Sequence, residues 1–233
     1  GENRSGVIEE ADFLTLLDTI RDCPHVVFGG IFSHDGNSYG AADLDALNAL
    51  SEGAQRRTLH FAALAAQHGM TCRTVSYGAT PTFMNRVKIL PGITELRPGT
   101  YALMDASQGN AIGTLERCAA TVLASVISKP TDTRTILDVG AKGLTMQTRT
   151  EGICAVAGRG TLLDMPQVHI EKVFDEHAIV NDKQFHDRVS VGDKVRIIPV
   201  HICPVCNLYE RAYLISGETV VGVLEISCRG KLQ

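Results

Sequence analysis

The chain has no basic face. Its 22 Lys and Arg are spread along the sequence against 26 Asp and Glu, for a net charge of −4. A nucleic-acid-binding surface needs its cations gathered on one side, so no nucleic-acid partner is expected. Long hydrophobic runs are also missing: the apolar stretches fall well short of the roughly 20 residues that cross a bilayer. No charged-then-apolar leader with a small-residue cleavage site precedes them. The expectation is a cytoplasmic protein with no membrane partner. The seven Cys are odd in number and irregularly spaced, which argues against a disulfide framework and for reduced thiols. Internal repeats and low-complexity tracts are absent too. The first residue is Gly1 rather than Met, which reads as a chain that starts downstream of its gene's start.

The organisation changes near residue 116. Before it, strand-like and helix-like stretches alternate. Val26 to Ile31 reads as a strand, and Leu44 to Gln67 carries apolar residues at helical spacing. Cys72 to Ser76 is a second strand, Thr82 to Lys88 a short helix, and Leu96 to Met104 closes the set. Strand–helix–strand order implies parallel pairing, hence an α/β sheet or barrel. From Cys118 onward the texture is β-rich: Ala119 to Ser128, Thr135 to Val139, Ile153 to Val156, His169 to Asp175, Lys194 to Pro199, Arg211 to Ile215 and Thr219 to Ile226 are short runs separated by Gly, Asp or Pro turns. The expected fold class is α/β plus β. A partial (β/α) barrel over 1–116 is followed by an antiparallel β domain over 117–233.

Three segments carry chemistry. In His201-Ile202-Cys203, a His and a Cys two positions apart on a strand would point to the same side and converge on one divalent cation. An isolated tripeptide of this kind also suits a buried Cys beside a core His. Ser76 to Thr82 follows a strand and opens a helix, so its free N–H groups and hydroxyls can cradle a phosphate. The same residues also make an ordinary helix cap. Ser33 to Tyr39, at the C-terminal end of a strand, is either part of a barrel active site or a solvated loop. Cys206, three residues beyond Cys203, is an extra ligand or a packing residue. His177 is a substrate-contacting group or a surface loop His. His25, His60, His169 and His186 have no partner motif and are read as structural.

Seven motifs in order bring a family into view. They are Gly1 to Val7; Gly29 to Gly36; Ser76 to Thr82; Glu95 to Tyr101 with Asp105; Leu137 to Lys142; Asp175 to His177; and Gly192-Asp193 running into Pro199 to Pro204. Together they resemble the D-threonine aldolase and D-serine dehydratase-like family, whose members have the alanine racemase fold, a fold-type III pyridoxal-phosphate barrel plus a β domain. The resemblance implies a lyase acting on D-β-hydroxy amino acids. It places pyridoxal 5'-phosphate against Ser76, Gly78, Ala79 and Thr80, Arg4 and His34 near the pyridine ring, and Tyr101 in the cofactor pocket, with Arg4, His34 and Tyr101 as the catalytic set. It gives His201 and Cys203 to a divalent metal that engages the substrate's β-hydroxyl as a Lewis acid. An imidazole and a thiolate suit zinc over manganese or magnesium. A homodimer is implied as well, with the β domain of one subunit completing the active site of the other.

Departures from the family pattern matter equally. The lysine that carries the cofactor lies, in the family, near the end of the first barrel strand. None of Lys88, Lys129, Lys142, Lys172, Lys183, Lys194 and Lys231 has that context. The chain therefore reads as the C-terminal portion of a longer enzyme, inactive by itself. His201-x-Cys203 favours a dehydratase, while Asn207-Leu208-Tyr209 and the ending Ser227 to Lys231 look more like the aldolase branch. Two other readings stay open. An amino-acid racemase would need a base on each face of the substrate and no metal; a non-catalytic pyridoxal-phosphate carrier would have no use for the metal motif.

Overall fold

The computed structural model describes residues 1–231. They form two compact units, Gly1–Tyr101 with Glu151–Ile153, and Ala102–Thr150 with the residues from Cys154 onward. The division falls at 101/102, whereas the change of texture in the sequence lies near 116; the helix between these points counts with the second unit.

The first unit contains α1 (Glu10–Asp22), β1 (Gly30–Ser33), α2 (Leu44–Gln67), β2 (Thr74–Tyr77), α3 (Thr80–Met84) and β3 (Glu95–Leu96). The three strands lie side by side in chain order, all parallel. This is the arrangement of a partial (β/α) barrel. Helix α2 coincides with the sequence expectation because both its ends are marked. The Asp43 side chain accepts from Ala46 N–H at 2.8 Å, an N-cap. At the other end Gly69 takes φ +82°, and Met70 N–H reaches Ala65 O while Gly69 N–H reaches Ala66 O, a Schellman cap. Its inward face reads Leu47, Ser51, Gln55, Thr58, Phe61, Ala65, one side of a 3.6-residue period. The polar members of that face are paired: Gln55 bonds Lys88 O and Leu90 N–H, and Thr58 meets Ser33 Oγ at 2.6 Å.

Two expectations shift here. The first strand lies at 30–33 rather than 26–31, because Val26 and Val27 are exposed and pairing with β2 begins at Gly30. There the strands approach so closely that a Cβ would sit 2.0 Å from Thr74 O. The short helix occupies 80–84 rather than 82–88, because Pro81 fits its first turn and Arg86, at φ +57°, ends it.

The second unit holds α4 (Ala106–Ile112), β4 (Val122–Ser128), β5 (Arg134–Leu137), α5 (Ala141–Leu144), β6 (Gly160–Leu162), β7 (Met165–His169), β8 (Lys172–Val173), β9 (Ala178–Asn181), α6 (Lys183–Arg188), β10 (Lys194–Pro199), α7 (Ile202–Cys206), β11 (Arg211–Ser216) and β12 (Thr219–Glu225). Seven strands form an antiparallel sheet in the order β7-β6-β10-β4-β5-β9-β8, and β11 and β12 form a separate hairpin. Strand β4 buries Val122, Ala124 and Val126 and turns Leu123 and Ile127 outward, the two-residue alternation of a half-buried strand. The segment 153–156 is a turn rather than a strand, and 169–175 divides between the end of β7 and β8. Among the described residues no helix is long and apolar enough to cross a membrane.

Candidate functional site

In the first unit, the turn between β2 and α3 is the most distinctive backbone feature. Gly78 adopts φ +135°, a conformation that L side chains rarely take. Gly78, Ala79 and Thr80 are all buried. Among the described residues no acceptor meets the N–H groups of Gly78 or Ala79, and Thr80, the first residue of α3, has no intrahelical acceptor either. Buried N–H groups without partners are rare. Three in succession fit an oxyanion such as a phosphate.

The surrounding side chains hold this turn in shape. His34, half-buried, lies with Nδ1 3.1 Å from Gly78 O. A carbonyl only accepts, so Nδ1 is the donor and Nε2 of the neutral ring is left as a proton acceptor. Thr80 Oγ1 accepts from Gly99 N–H at 3.2 Å and from Thr100 N–H at 3.1 Å, and its own proton remains available. Ser76 is differently engaged: its hydroxyl donates to Glu95 Oε1 at 2.6 Å and accepts from Arg97 Nε at 2.7 Å. The alternation of β2 points it away from Val75 and Tyr77. Tyr101 is half-exposed and packs edge-on against Phe83, with ring centroids 5.6 Å apart. Arg4 is exposed and pairs with Glu2 at 2.9 Å. The structure thus brings His34 and the turn 78–80 together, while Arg4 is engaged by Glu2.

Asp35, which sequence reasoning passed over, is the hub behind this turn. Its Oδ2 accepts from Tyr77 Oη at 2.6 Å and Thr82 Oγ1 at 2.6 Å, with Ser51 Oγ at 3.4 Å. One fully buried carboxylate thereby ties the residues flanking the turn to α2. Burial of the Tyr77 phenol first, and then the charge and hydrogen bond of Asp35, push that phenol well above the ordinary 10. The placement of Asp35 directly after His34 in a strand-end loop was the available signal.

The second unit carries the His-x-Cys motif, in a different setting from the strand expected. Strand β10 ends at Pro199, His201 is the extended N-cap residue of α7, and Cys203 lies inside that helix. Pro204, tolerated in a first helical turn, marks the change. The pair therefore straddles a strand-to-helix turn. Ile202 N–H, between the two, donates to Asp105 Oδ2 at 3.0 Å, and Asp105 Oδ1 accepts Gln108 N–H at 2.8 Å. His201 Nδ1 lies 2.6 Å from Gln147 Oε1. Burial and the Arg149 charge lower its pKa from 6.5 to about 4, which keeps the ring in the neutral form that ligates metals. Cys203 is exposed; Cys206 is half-buried against the core of this unit. Burial first, and then the neighbouring Cys203, push the Cys206 thiol up. Among the described residues no three or more His, Cys, Asp or Glu gather as a metal site. His201 and Cys203 supply an imidazole and a thiol, donor types that zinc takes, and two donors are one fewer than the three protein ligands of a catalytic zinc site. His177 lies in an exposed turn, its carbonyl bonded to Phe174 N–H at 2.8 Å.

Residues 1–107 match the family model described as "Alanine racemase, N-terminal domain", and residues 119–215 match "Putative serine dehydratase domain". The chain is 30% identical over 234 residues to D-threonine aldolase of Arthrobacter sp, covering 99% of this chain and 59% of that protein. Among solved structures, D-threo-3-hydroxyaspartate dehydratase from Delftia sp. HT23 superposes with a TM-score of 0.84 at 27% identity, covering 96% of this chain and 62% of that one. D-threonine aldolase from Filomicrobium marinum superposes with a TM-score of 0.83 at 25% identity, covering 100% and 62%. The chain therefore spans about three fifths of the length of these relatives. Variants of a D-threo-3-hydroxyaspartate dehydratase that replace a His and a Cys two positions apart also superpose on the chain, the Cys variant in a metal-free form. The two matched regions follow one another along the chain in the order of its two architectures, and the chain belongs to the D-threonine aldolase and D-serine dehydratase-like family of the alanine racemase fold.

Proposed function

We propose that the protein is a pyridoxal-phosphate- and divalent-metal-dependent lyase acting on D-β-hydroxy amino acids. The observation that carries this reading is the buried turn Gly78-Ala79-Thr80 with its acceptor-less N–H groups, which suits the phosphate of the cofactor on which the family depends. The relatives' names, aldolase and dehydratase, support a lyase. When bound, pyridoxal phosphate supplies an electron sink for a carbanion at the substrate's Cα, and the metal supplies a Lewis acid for its β-hydroxyl.

The chain's own residues divide the remaining work. Gly78, Ala79 and Thr80 bind the phosphate through N–H groups that need no reorganisation, and the Thr80 hydroxyl adds a donor. His34, fixed by the Gly78 carbonyl, accepts or returns a proton at Nε2. His201 Nε2 and the Cys203 sulfur hold the metal, zinc being the ion this donor pair suits. The His and Cys replaced in the D-threo-3-hydroxyaspartate dehydratase variants share this spacing, which favours loss of water over retro-aldol cleavage. Ser76 supports the turn through Glu95 and Arg97. Tyr101, with Phe83, offers an aromatic wall, and Arg4 is retained as a surface candidate.

Among the described residues no lysine occupies a strand end of the first unit. Lys88 follows α3, with its carbonyl bonded to Gln55, and Lys142 pairs with Glu176 at 2.5 Å. The proposed activity therefore belongs to the protein in which a cofactor-carrying lysine accompanies these residues, and it is proposed as a homodimer, to be checked by light scattering. To test the function, that protein is incubated with D-serine, D-threonine, D-3-hydroxyaspartate and their L forms, and keto acid, aldehyde and glycine are measured. Keto acid without glycine is the expected result. Glycine plus aldehyde would place it among the aldolases. Interconversion of D- and L-alanine with neither product would replace the lyase with a racemase.

A further inference from the structure

We propose that Gln147 is a positioning residue that presets the tautomer of His201, leaving the Nε2 lone pair free for a metal ion; this rests on the reading of His201 and Cys203 as metal ligands. The contact between His201 Nδ1 and Gln147 Oε1 is 2.6 Å. An amide oxygen only accepts, so the proton of the neutral ring sits on Nδ1 and the lone pair on Nε2. An unconstrained neutral histidine prefers the opposite arrangement, with the proton on Nε2. That form would present N–H, not a lone pair, to an ion. The hydrogen bond therefore reverses an intrinsic preference in the direction ligation needs.

Two further observations make Gln147 a device rather than a chance neighbour. It is delivered by a strained turn: Thr145, a β-branched residue, takes φ 69° at the end of α5, a conformation that persists only where the surroundings hold it. The Thr145 N–H is bonded to Ala141 O at 2.8 Å, and its hydroxyl accepts Gln147 N–H at 3.1 Å, so the strained residue is coupled directly to the one that meets His201. The backbone beside His201 is meanwhile fixed independently, through Ile202 N–H and Asp105. Gln147 is exposed and buries nothing in a core. Removing its side chain should therefore change the state of the ring while leaving the fold intact.

The test begins with metal-free protein at neutral pH, where long-range ¹H–¹⁵N correlation spectra assign the proton to one ring nitrogen. The wild type should show His201 protonated at Nδ1. Gln147→Ala should move the proton to Nε2, and Gln147→Glu, which keeps an acceptor oxygen, should restore the wild-type pattern. Zinc affinity, measured by competition with a chromophoric chelator, should then fall roughly 10–100-fold in Gln147→Ala and stay near wild type in Gln147→Glu. A wild-type His201 protonated at Nε2, with zinc bound normally, would overturn the proposal while leaving the metal site standing. So would a Gln147→Ala protein with unchanged tautomer or unchanged affinity. A wild type that binds no zinc through His201 would remove the metal reading and this proposal together.

Discussion

The Asp105 carboxylate caps α4 with one oxygen and holds Ile202 N–H with the other, so a single buried side chain joins two segments 97 residues apart in sequence. Burial pushes its pKa up, and the two backbone N–H donors work against that shift. Asp105→Ala removes a cap and strands a buried N–H group. We expect a loss of about 2–4 kcal/mol from these two costs, read as a lower denaturation midpoint in urea. Asp105→Asn keeps one acceptor oxygen and should lose less. If the alanine variant were as stable as wild type, the clamp would have no energetic weight. His201 gives a pH signature instead. Its pKa is depressed from 6.5 to about 4, mainly by burial and then by Arg149. The unfolded chain therefore takes up the proton first as pH falls, and the stability tied to the neutral ring is complete above about 6.5 and drains away down to about 4. Metal-free wild type should lose stability across that window, and His201→Asn should lose measurably less; superimposable pH profiles would refute the assignment.

Among the elements, legibility followed how local the determining signals were. Helix α2 could be read to its end residues because its apolar period, its Asp43 cap and its terminal Gly69 lie within the segment itself. Strand β10 was equally plain, as a six-residue run ended by Pro199. By contrast, β1 was misplaced by four residues at its start. Val26, Val27 and Phe28 are as apolar as a strand should be, and only the pairing of Gly30 with Thr74, a tertiary fact, decides where the ladder begins. The short strands β6 and β9 and the helices α1 and α6 went unassigned for the same reason: their sequences are ambiguous until neighbours bury them. The His-x-Cys pair stands out by its spacing, yet the strand geometry that motivates it is wrong, because a helix opens there at Ile202 with Pro204 in its first turn. Asp35 had only its place after His34 as a signal and Gln147 had none, since what they do depends on partners 16 to 54 residues away. The β2–α3 turn is where local signal and site coincide, and it supports a prediction at this scale. A Cβ at Gly78 would have room, with Arg97 N 3.5 Å away, so Gly78→Ala should act through its φ of +135° alone. We expect a cost of roughly 1–3 kcal/mol in stability, together with weaker binding of pyridoxal 5'-phosphate but not of phosphate-free pyridoxal, measured by fluorescence titration. Equal weakening of both ligands would mean that the turn does not contact the phosphate.

For the whole molecule, the two candidate sites lie on separate compact units, so occupancy of each can be followed by its own effect on stability. A ligand that binds only the folded protein stabilises it by about 2.7 kcal/mol at a hundred times its dissociation constant. For a protein of this size each kcal/mol raises Tm by roughly 2–4 °C, so saturating zinc should lift the wild-type Tm by roughly 5–10 °C. Zinc also binds Cys and His in unfolded chains, and the chain has seven Cys and eight His, which pulls the observed shift toward the lower end of that range. The discriminating comparison is therefore between variants rather than against the absolute figure. Cys203→Ala should abolish most of the zinc shift while leaving the shift produced by pyridoxal 5'-phosphate intact, because the turn 78–80 lies on the other unit. Gly78→Ala should do the reverse. Differential scanning calorimetry with each ligand alone reads both effects, and a Cys203→Ala protein that retained the full zinc shift would show that the ion is held elsewhere.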